Sequence, residues 1–126
     1  MAKRKFFIDT DTATDDAVAL VMALRHSDID VLGISTVAGN CTIEQATQNA
    51  LYTRDLVGST APIHVGADGP LMRDPQSAHH VHGQDGMGDI GLELHSREPA
   101  SLQGVQALID VIMDNPGEIE LVTLGP

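Results

Sequence analysis

The stretch "FFIDTDTATDDAVALVMAL", Phe6 to Leu24, wedges an acidic turn between two apolar runs. Four aspartates, Asp9, Asp11, Asp15 and Asp16, fall within eight residues. Phe6-Phe7-Ile8 reads as a short buried strand that starts a little earlier. From Asp15 to about Arg25, apolar residues lie on nearly all faces, which predicts a helix buried over its N-terminal half. Thr14 is the predicted N-cap.

Working outward, "DVLGISTVA" (Asp30 to Ala38) is a β-branched run and a second strand. Thr42 opens a helix to about Val57, with Gln45 placed for a capping box and Gly58 as the stop. "PIHVG" (Pro62 to Gly66) is a short third strand. Ala67 to Pro99 shows no periodicity and is rich in Gly, Pro, His and Asp. Loops of this length inside compact domains are usually functional or disordered. Ser101 then caps a helix to about Asn115, and "EIELVTLGP" is a fourth strand. No internal repeat interrupts this order. Strands alternating with helices predict an α/β fold, a mainly parallel sheet flanked by helices with right-handed crossovers. Ligands of such sheets bind beyond the C-terminal ends of the strands.

The chain has 126 residues, of which 42% are hydrophobic, enough for one domain with its own core. Two Phe, one Tyr and no Trp leave aliphatic side chains and Ala to build that core. The net charge of −11 argues against a nucleic-acid backbone or an anionic membrane as partner and suits a cation. Acidity that merely aids solubility is the bland alternative. Cys41 is the only cysteine, so no intramolecular disulfide forms, which fits a reducing compartment. A lone Cys is most simply a small buried hydrophobe. "MAKRKFFIDTD" begins basic like a signal peptide, but its apolar run ends at Asp9, too short for a hydrophobic signal core. No stretch has the length to cross a membrane. The expectation is a soluble cytoplasmic protein. Gly125-Pro126 follows a buried-looking strand with no helix to cover it. An open edge invites pairing, so residues 1–126 are expected to be the N-terminal, truncated part of one larger α/β domain; a small complete domain with a protected edge is the alternative.

The aspartates carry the chemistry. Two like charges at 4 Å cost about 1 kcal/mol in water and about 4 kcal/mol at an effective dielectric near 20. A helix N-terminus returns only about 0.3–1 kcal/mol per anion. Capping alone therefore does not offset several converging carboxylates. A bound cation or a protonated carboxyl must complete the balance. A hard divalent ion with oxygen ligands is the natural partner. On spacing alone a second reading stands beside it, in which one Asp caps the helix and the others splay into water.

"DTDTATDDAVAL" resembles the N-terminal signature of the nucleoside hydrolases, the inosine-uridine-preferring family. "TVAGN" (Thr36 to Asn40), "HGQDG" (His82 to Gly86) and "TLGP" (Thr123 to Pro126) resemble further family stretches, in the family's order. Together they run over essentially the whole chain. The resemblance implies the N-terminal portion of the Rossmann-like nucleoside hydrolase fold. It also implies hydrolysis of the N-glycosidic bond of ribonucleosides, using a calcium-held water.

Residue by residue, the resemblance makes Asp11 a calcium ligand and the general base. Asp16 matches a metal ligand, and Thr123 a backbone-carbonyl ligand. Asp15 and Asn40 match residues that hold ribose hydroxyls or orient the catalytic group. Asp9 would support them from behind, or be simply a satisfied buried acid. His82 matches a residue near the nucleobase, where it stacks on the base or assists its departure. An oxocarbenium-like transition state would gain from the surrounding anionic groups. The family also implies a homo-oligomer, dimer or tetramer, for the complete protein.

Two departures from the family pattern stand out. Thr12-Ala13 replaces the usual Pro-Gly after the second aspartate. Family members are also much longer, and their remaining part holds a further metal-binding Asp, another His and most ribose and base contacts. The 126-residue chain alone is therefore expected to be inactive.

Other readings compete. "HHVHG" (His79, His80, His82) suggests a transition-metal site, against which the surrounding acids favour a hard ion; His79 and His80 then read as solvated loop residues. Asp85 reads as a loop-structuring residue. A haloacid-dehalogenase-like phosphatase would use Asp9 as nucleophile, Asp11 as acid/base and Mg²⁺. That family wants Thr or Val where Ala13 stands, and it leaves Asp15, Asp16, "TVAGN" and "HGQDG" without a role. A truncated, non-catalytic cation-binding module is a third reading.

Overall fold

Phe7 decides how the sheet is laid. In the computed structural model, which describes residues 2–126, the Phe7 side chain is fully buried in β1 (Arg4–Thr10). β1 pairs in parallel with β2 (Ile29–Thr36), and the register shifts between Phe6 and Phe7. Phe6 lies opposite Val31 but Phe7 lies opposite Gly33, so β2 carries one extra residue. The bulge brings a residue without a side chain beside the ring. A Cβ at Gly33 would stand 2.6 Å from Phe7 Cε2. Bulges of this kind re-aim a strand at a functional edge.

The other elements are α1 (Thr14–Arg25), α2 (Ile43–Leu56), β3 (Ile63–Val65), a single turn α3 (His79–His82), α4 (Gly104–Asp114) and β4 (Ile119–Thr123). The sheet order is β3-β2-β1-β4, with every pairing parallel. The expected α/β architecture is therefore observed. Strands step outward from β1 to β3, and β4 then returns to the far side of β1. Right-handed crossovers place α1 and α2 on one face and α4 on the other. In keeping with this, α1 packs on α2, whereas α4 packs on β2 and β3. The order reverses between β1 and β4, and the crevice beyond such a reversal is the usual ligand site.

Ile8, Leu20, Ile34, Ala50, Leu51, Ala61 and Ile63 form the core cluster, aliphatic and alanine throughout, as the composition requires. α4 buries only Gly104 of its own residues. Its Val105, Ile109 and Met113 are exposed on the outside, together with Leu102 just before it.

Two helix starts differ from expectation, and at a third the cap forms without its box. Thr14 is the first residue of α1 rather than its cap; Ala13 occupies the cap position without a side-chain hydrogen bond. The Thr14 hydroxyl is engaged with His82 instead. Thr42 does cap α2, accepting from the Gln45 amide N–H at 3.3 Å. The Gln45 side chain does not reach back to complete a capping box; it donates to Asn49 Oδ1 and to the Leu94 carbonyl. Ser101 stands three residues before α4. Its carbonyl accepts from Val65 N–H, and its hydroxyl meets His64 Nδ1 at 2.7 Å, so it extends the edge at β3 instead of capping a helix. Gly58 ends α2 at φ +72°, as a C-terminal glycine should.

Candidate active site

The C-terminal end of β1 delivers Asp9 and Asp11 to the crevice between β1 and β4, and the first turn of α1 delivers Asp15 and Asp16. Asp11 lies just past the last residue of β1, so the strand's alternation does not fix its direction relative to Asp9. Asp9 lies half-buried behind the crevice and accepts a 2.5 Å hydrogen bond from Ser35 Oγ. Burial raises its pKa above the ordinary carboxylate value, against the lowering effect of Ser35. Asp11 is 4% exposed, and its Oδ2 accepts from the Asn40 backbone N–H at 2.9 Å. "TVAGN" thus acts through its backbone: the turn after β2 wraps the Asp11 carboxyl, and Gly39 lets it come close.

Asp16 is strongly perturbed. It is 6% exposed and accepts from Thr10 Oγ1 at 2.8 Å. Its pKa rises to about 7, first because burial penalises the charge and then because the Asp11 carboxyl stands beside it, with Asp15 adding to the effect. Thr10 and Thr12 share a 2.9 Å hydroxyl contact beneath the pair. Among the described residues neither Asp11 nor Asp16 takes part in a salt bridge. Two buried carboxyls therefore face each other with no basic partner. The donor set is oxygen only, which suits a hard cation. Among the described residues no group of three or more His, Cys, Asp or Glu converges as a metal cage. The carboxyl pair thus needs neutral oxygens or further chain to complete a coordination shell.

Asp11, Asp15, Asp16, Asn40, Arg73 and Leu124 are among the residues lining an open cavity of about 760 Å³. Thr123 is the register partner of Asp9 at the end of β4, and the Leu124 N–H donates to the Asp9 carbonyl at 2.8 Å. "TLGP" therefore crosses the floor of the site, with Leu124, Gly125 and Pro126 in the wall.

His82 does not line this cavity. It sits at the end of α3, where its Nδ1 meets Thr14 Oγ1 at 2.8 Å. That contact leaves Nε2 as the ring nitrogen without a hydrogen bond among the described residues, and it ties His82 to Thr14, the chain neighbour of Asp15. His79 contacts Ser77 through Nδ1 and His80 is exposed, so the three histidines do not gather on a metal. Asp85 structures its loop: its Oδ1 accepts from Met87 N–H and Asp89 N–H. Cys41 is buried, and burial, followed by Asp11, Asp16 and Asp85, pushes its thiol up to about 12. It is a neutral donor to the Thr12 carbonyl at 3.5 Å, without a nucleophilic role.

Asp9 is held by Ser35 and does not line the cavity, so it is not placed as a nucleophile toward a ligand there. The sequence reasoning did not single out Thr10, Thr12, Ser35, Arg73 or Asn49. The alternating threonines of "DTDT" are a readable sign of hydroxyls aimed at neighbouring carboxyls. Asn49, within the buried run Ala46, Thr47, Asn49, Ala50, Thr53, is a readable sign of an amide with partners outside its helix.

Comparison with known proteins agrees with this geometry. The family profile described as inosine-uridine preferring nucleoside hydrolase matches residues 6–126. The pyrimidine-specific ribonucleoside hydrolase RihB of Escherichia coli strain K12 is 37% identical over 126 residues, covering 100% of this chain and 40% of that protein. The solved plant nucleoside hydrolase PpNRh1 superposes with a TM-score of 0.87 at 35% identity, over 98% of this chain and 40% of its own. The purine-preferring ribonucleoside hydrolase from Gardnerella vaginalis gives a TM-score of 0.89 at 28% identity, over 97% of this chain and 40% of its own. The chain thus spans about 40% of the length of the relatives it matches.

Proposed function

The chain belongs to the inosine-uridine preferring nucleoside hydrolase family, and on that premise we propose that the complete protein hydrolyses the N-glycosidic bond of ribonucleosides to ribose and free base. The observation that carries the proposal is the buried Asp11–Asp16 carboxyl pair at the β1/β4 reversal, without a basic partner among the described residues. Asp11, Asp16 and the Thr123 backbone carbonyl would hold a calcium ion, which when bound lowers the pKa of water at the site.

Asp11 acts as general base. Its Oδ2 is fixed by the Asn40 N–H, which leaves its other oxygen to accept a proton from the attacking water. Asp15 and Asn40 both line the cavity and would receive ribose hydroxyls. Positive charge develops on the ribose as the glycosidic bond breaks, and the carboxylates around the cavity oppose its cost. His82, tied to Thr14 Oγ1 just outside the cavity wall, would assist departure of the base through Nε2. Asp9 stiffens the floor through Ser35.

A homo-oligomer, dimer or tetramer, belongs to the same proposal for the complete protein, and light scattering reads it. Cytoplasmic residence is proposed from the lone buried Cys41, which suits a reducing compartment. The activity is tested by incubating the complete protein with inosine, uridine and a phosphomonoester. Ribose release that is lost with a chelator and restored by calcium is expected. Phosphate release without ribose release would sink the proposal in favour of a phosphatase.

A further inference from the structure

α2 does more than cover the sheet. Three side-chain amides leave it for other segments. Gln45 donates to the Leu94 carbonyl, and Gln48 exchanges two hydrogen bonds with the Arg97 backbone. Asn49 is the deepest of them and is fully buried. Its Nδ2 donates both protons, one to the Thr12 carbonyl at 3.0 Å and one to the Asp85 carbonyl at 2.9 Å. Its Oδ1 accepts from Gln45 Nε2 at 2.9 Å, so every position on the carboxamide is oriented.

The two carbonyls belong to different loops. Thr12 follows Asp11 directly. Asp85 lies three residues after His82, in the turn that closes α3. One amide therefore bridges the loop of the proposed base and the loop of the histidine. Thr14 Oγ1 and His82 Nδ1 make a second tie between the same loops. The backbone has been shaped for the amide. Gly86, at φ +75°, passes so close that a Cβ there would lie 3.0 Å from Asn49 Nδ2 and 3.3 Å from Cys41 Sγ. An apolar side chain of similar size would fill the space without desolvating an amide. Packing alone does not call for two donors aimed at two loops.

We propose that Asn49 is a positioning residue that sets the spacing between Asp11 and His82, so that water activation and departure of the base occur on one ribonucleoside at once. This deepens the proposed nucleoside hydrolase activity and rests on it. The test uses the complete protein with inosine and uridine. Asn49→Ala is compared with the parent, and His82→Ala/Asn49→Ala with His82→Ala, with thermal melts and circular dichroism alongside. In the parent background Asn49→Ala is expected to lower kcat by about tenfold or more and to change KM by less than about threefold. With His82 already removed there is no histidine to misplace, so the same substitution should cost less than about threefold. A general structural defect would lower kcat equally in both backgrounds, and that result overturns the proposal. So does an unchanged kcat in folded Asn49→Ala. If Asn49→Ala does not fold, Asn49→Ser keeps one donor and is read by the same pair of comparisons. Absence of ribose release from the parent itself overturns the underlying activity, and this role with it.

Discussion

The Asp11–Asp16 pair makes a prediction about stability that does not depend on catalysis. Asp16 titrates near 7 in the folded protein, against an ordinary value near 4 in the unfolded chain. Between those two pH values the folded state keeps a proton that the unfolded state releases. Stability of the calcium-free protein must then fall as pH rises from about 4 to about 7. A shift of roughly three units corresponds to about 4 kcal/mol, an upper figure because a coupled pair shares it. Asp16→Asn removes the charge and keeps the shape. The amide oxygen still accepts from Thr10 Oγ1, and the amide N–H₂ donates toward Asp11 instead of repelling it. In chelator at pH 8 the complete protein carrying Asp16→Asn should be more stable than the parent by about 1–4 kcal/mol. At pH 5, where Asp16 is already protonated, the difference should shrink toward zero. Calcium should invert the order at pH 8 by stabilising only the parent. Urea denaturation at the two pH values, with and without calcium, reads all of this. If Asp16→Asn is less stable than the parent in chelator at pH 8, the two carboxyls are not in conflict and the cation argument loses its footing.

Asp11→Asn should lower kcat by about 10²–10⁴-fold, and in chelator it should melt no lower than the parent because it relieves the same carboxyl pair, as measured by steady-state kinetics and calorimetry. Gly33→Ala drives a Cβ toward the Phe7 ring and should cost about 1–3 kcal/mol in chemical denaturation; a neutral result would mean that the bulge between Phe6 and Phe7 relaxes freely. The purified 126-residue chain should release no ribose from inosine or uridine, because it spans about 40% of the length of its relatives; measurable release would show that it holds a complete site.

How much of this was legible in the sequence depended on the range of the interaction. β1, β2 and α2 announce themselves by β-branched runs and by Thr42, and they lie within a few residues of where the pattern puts them. The acidic turn was readable because four carboxyls in eight residues violate a simple electrostatic expectation. The misplaced caps share a cause. Thr14 and Ser101 have hydroxyls that suit a local cap, but each is drawn to a histidine far along the chain, 68 and 37 residues away. Local propensity cannot register a partner at that distance. His82 was legible as a residue type beside glycines, whereas its place outside the cavity wall is set by the contact with Thr14. The amide ties from α2 to the long loop were invisible for the same reason. They explain how residues 85–97 hold a defined path without a helix or strand of their own.

The central position of β1 divides the site into two tempos. β1 is laddered on both sides, to β2 and to β4, so the floor carrying Asp9 shares the slowest opening motions of the sheet. The wall from Gly69 to Gln76 touches the same cavity but belongs to no strand or helix, and Leu71 and Met72 are almost fully exposed. Catalytic geometry is thereby anchored to the part of the molecule that opens last. On the proposed function, entry, exit and discrimination between bases would fall to a part that belongs to no strand or helix. Changes of substrate preference could then accumulate along the wall while Asp11 and Asp16 keep their places between the end of β1 and the first turn of α1.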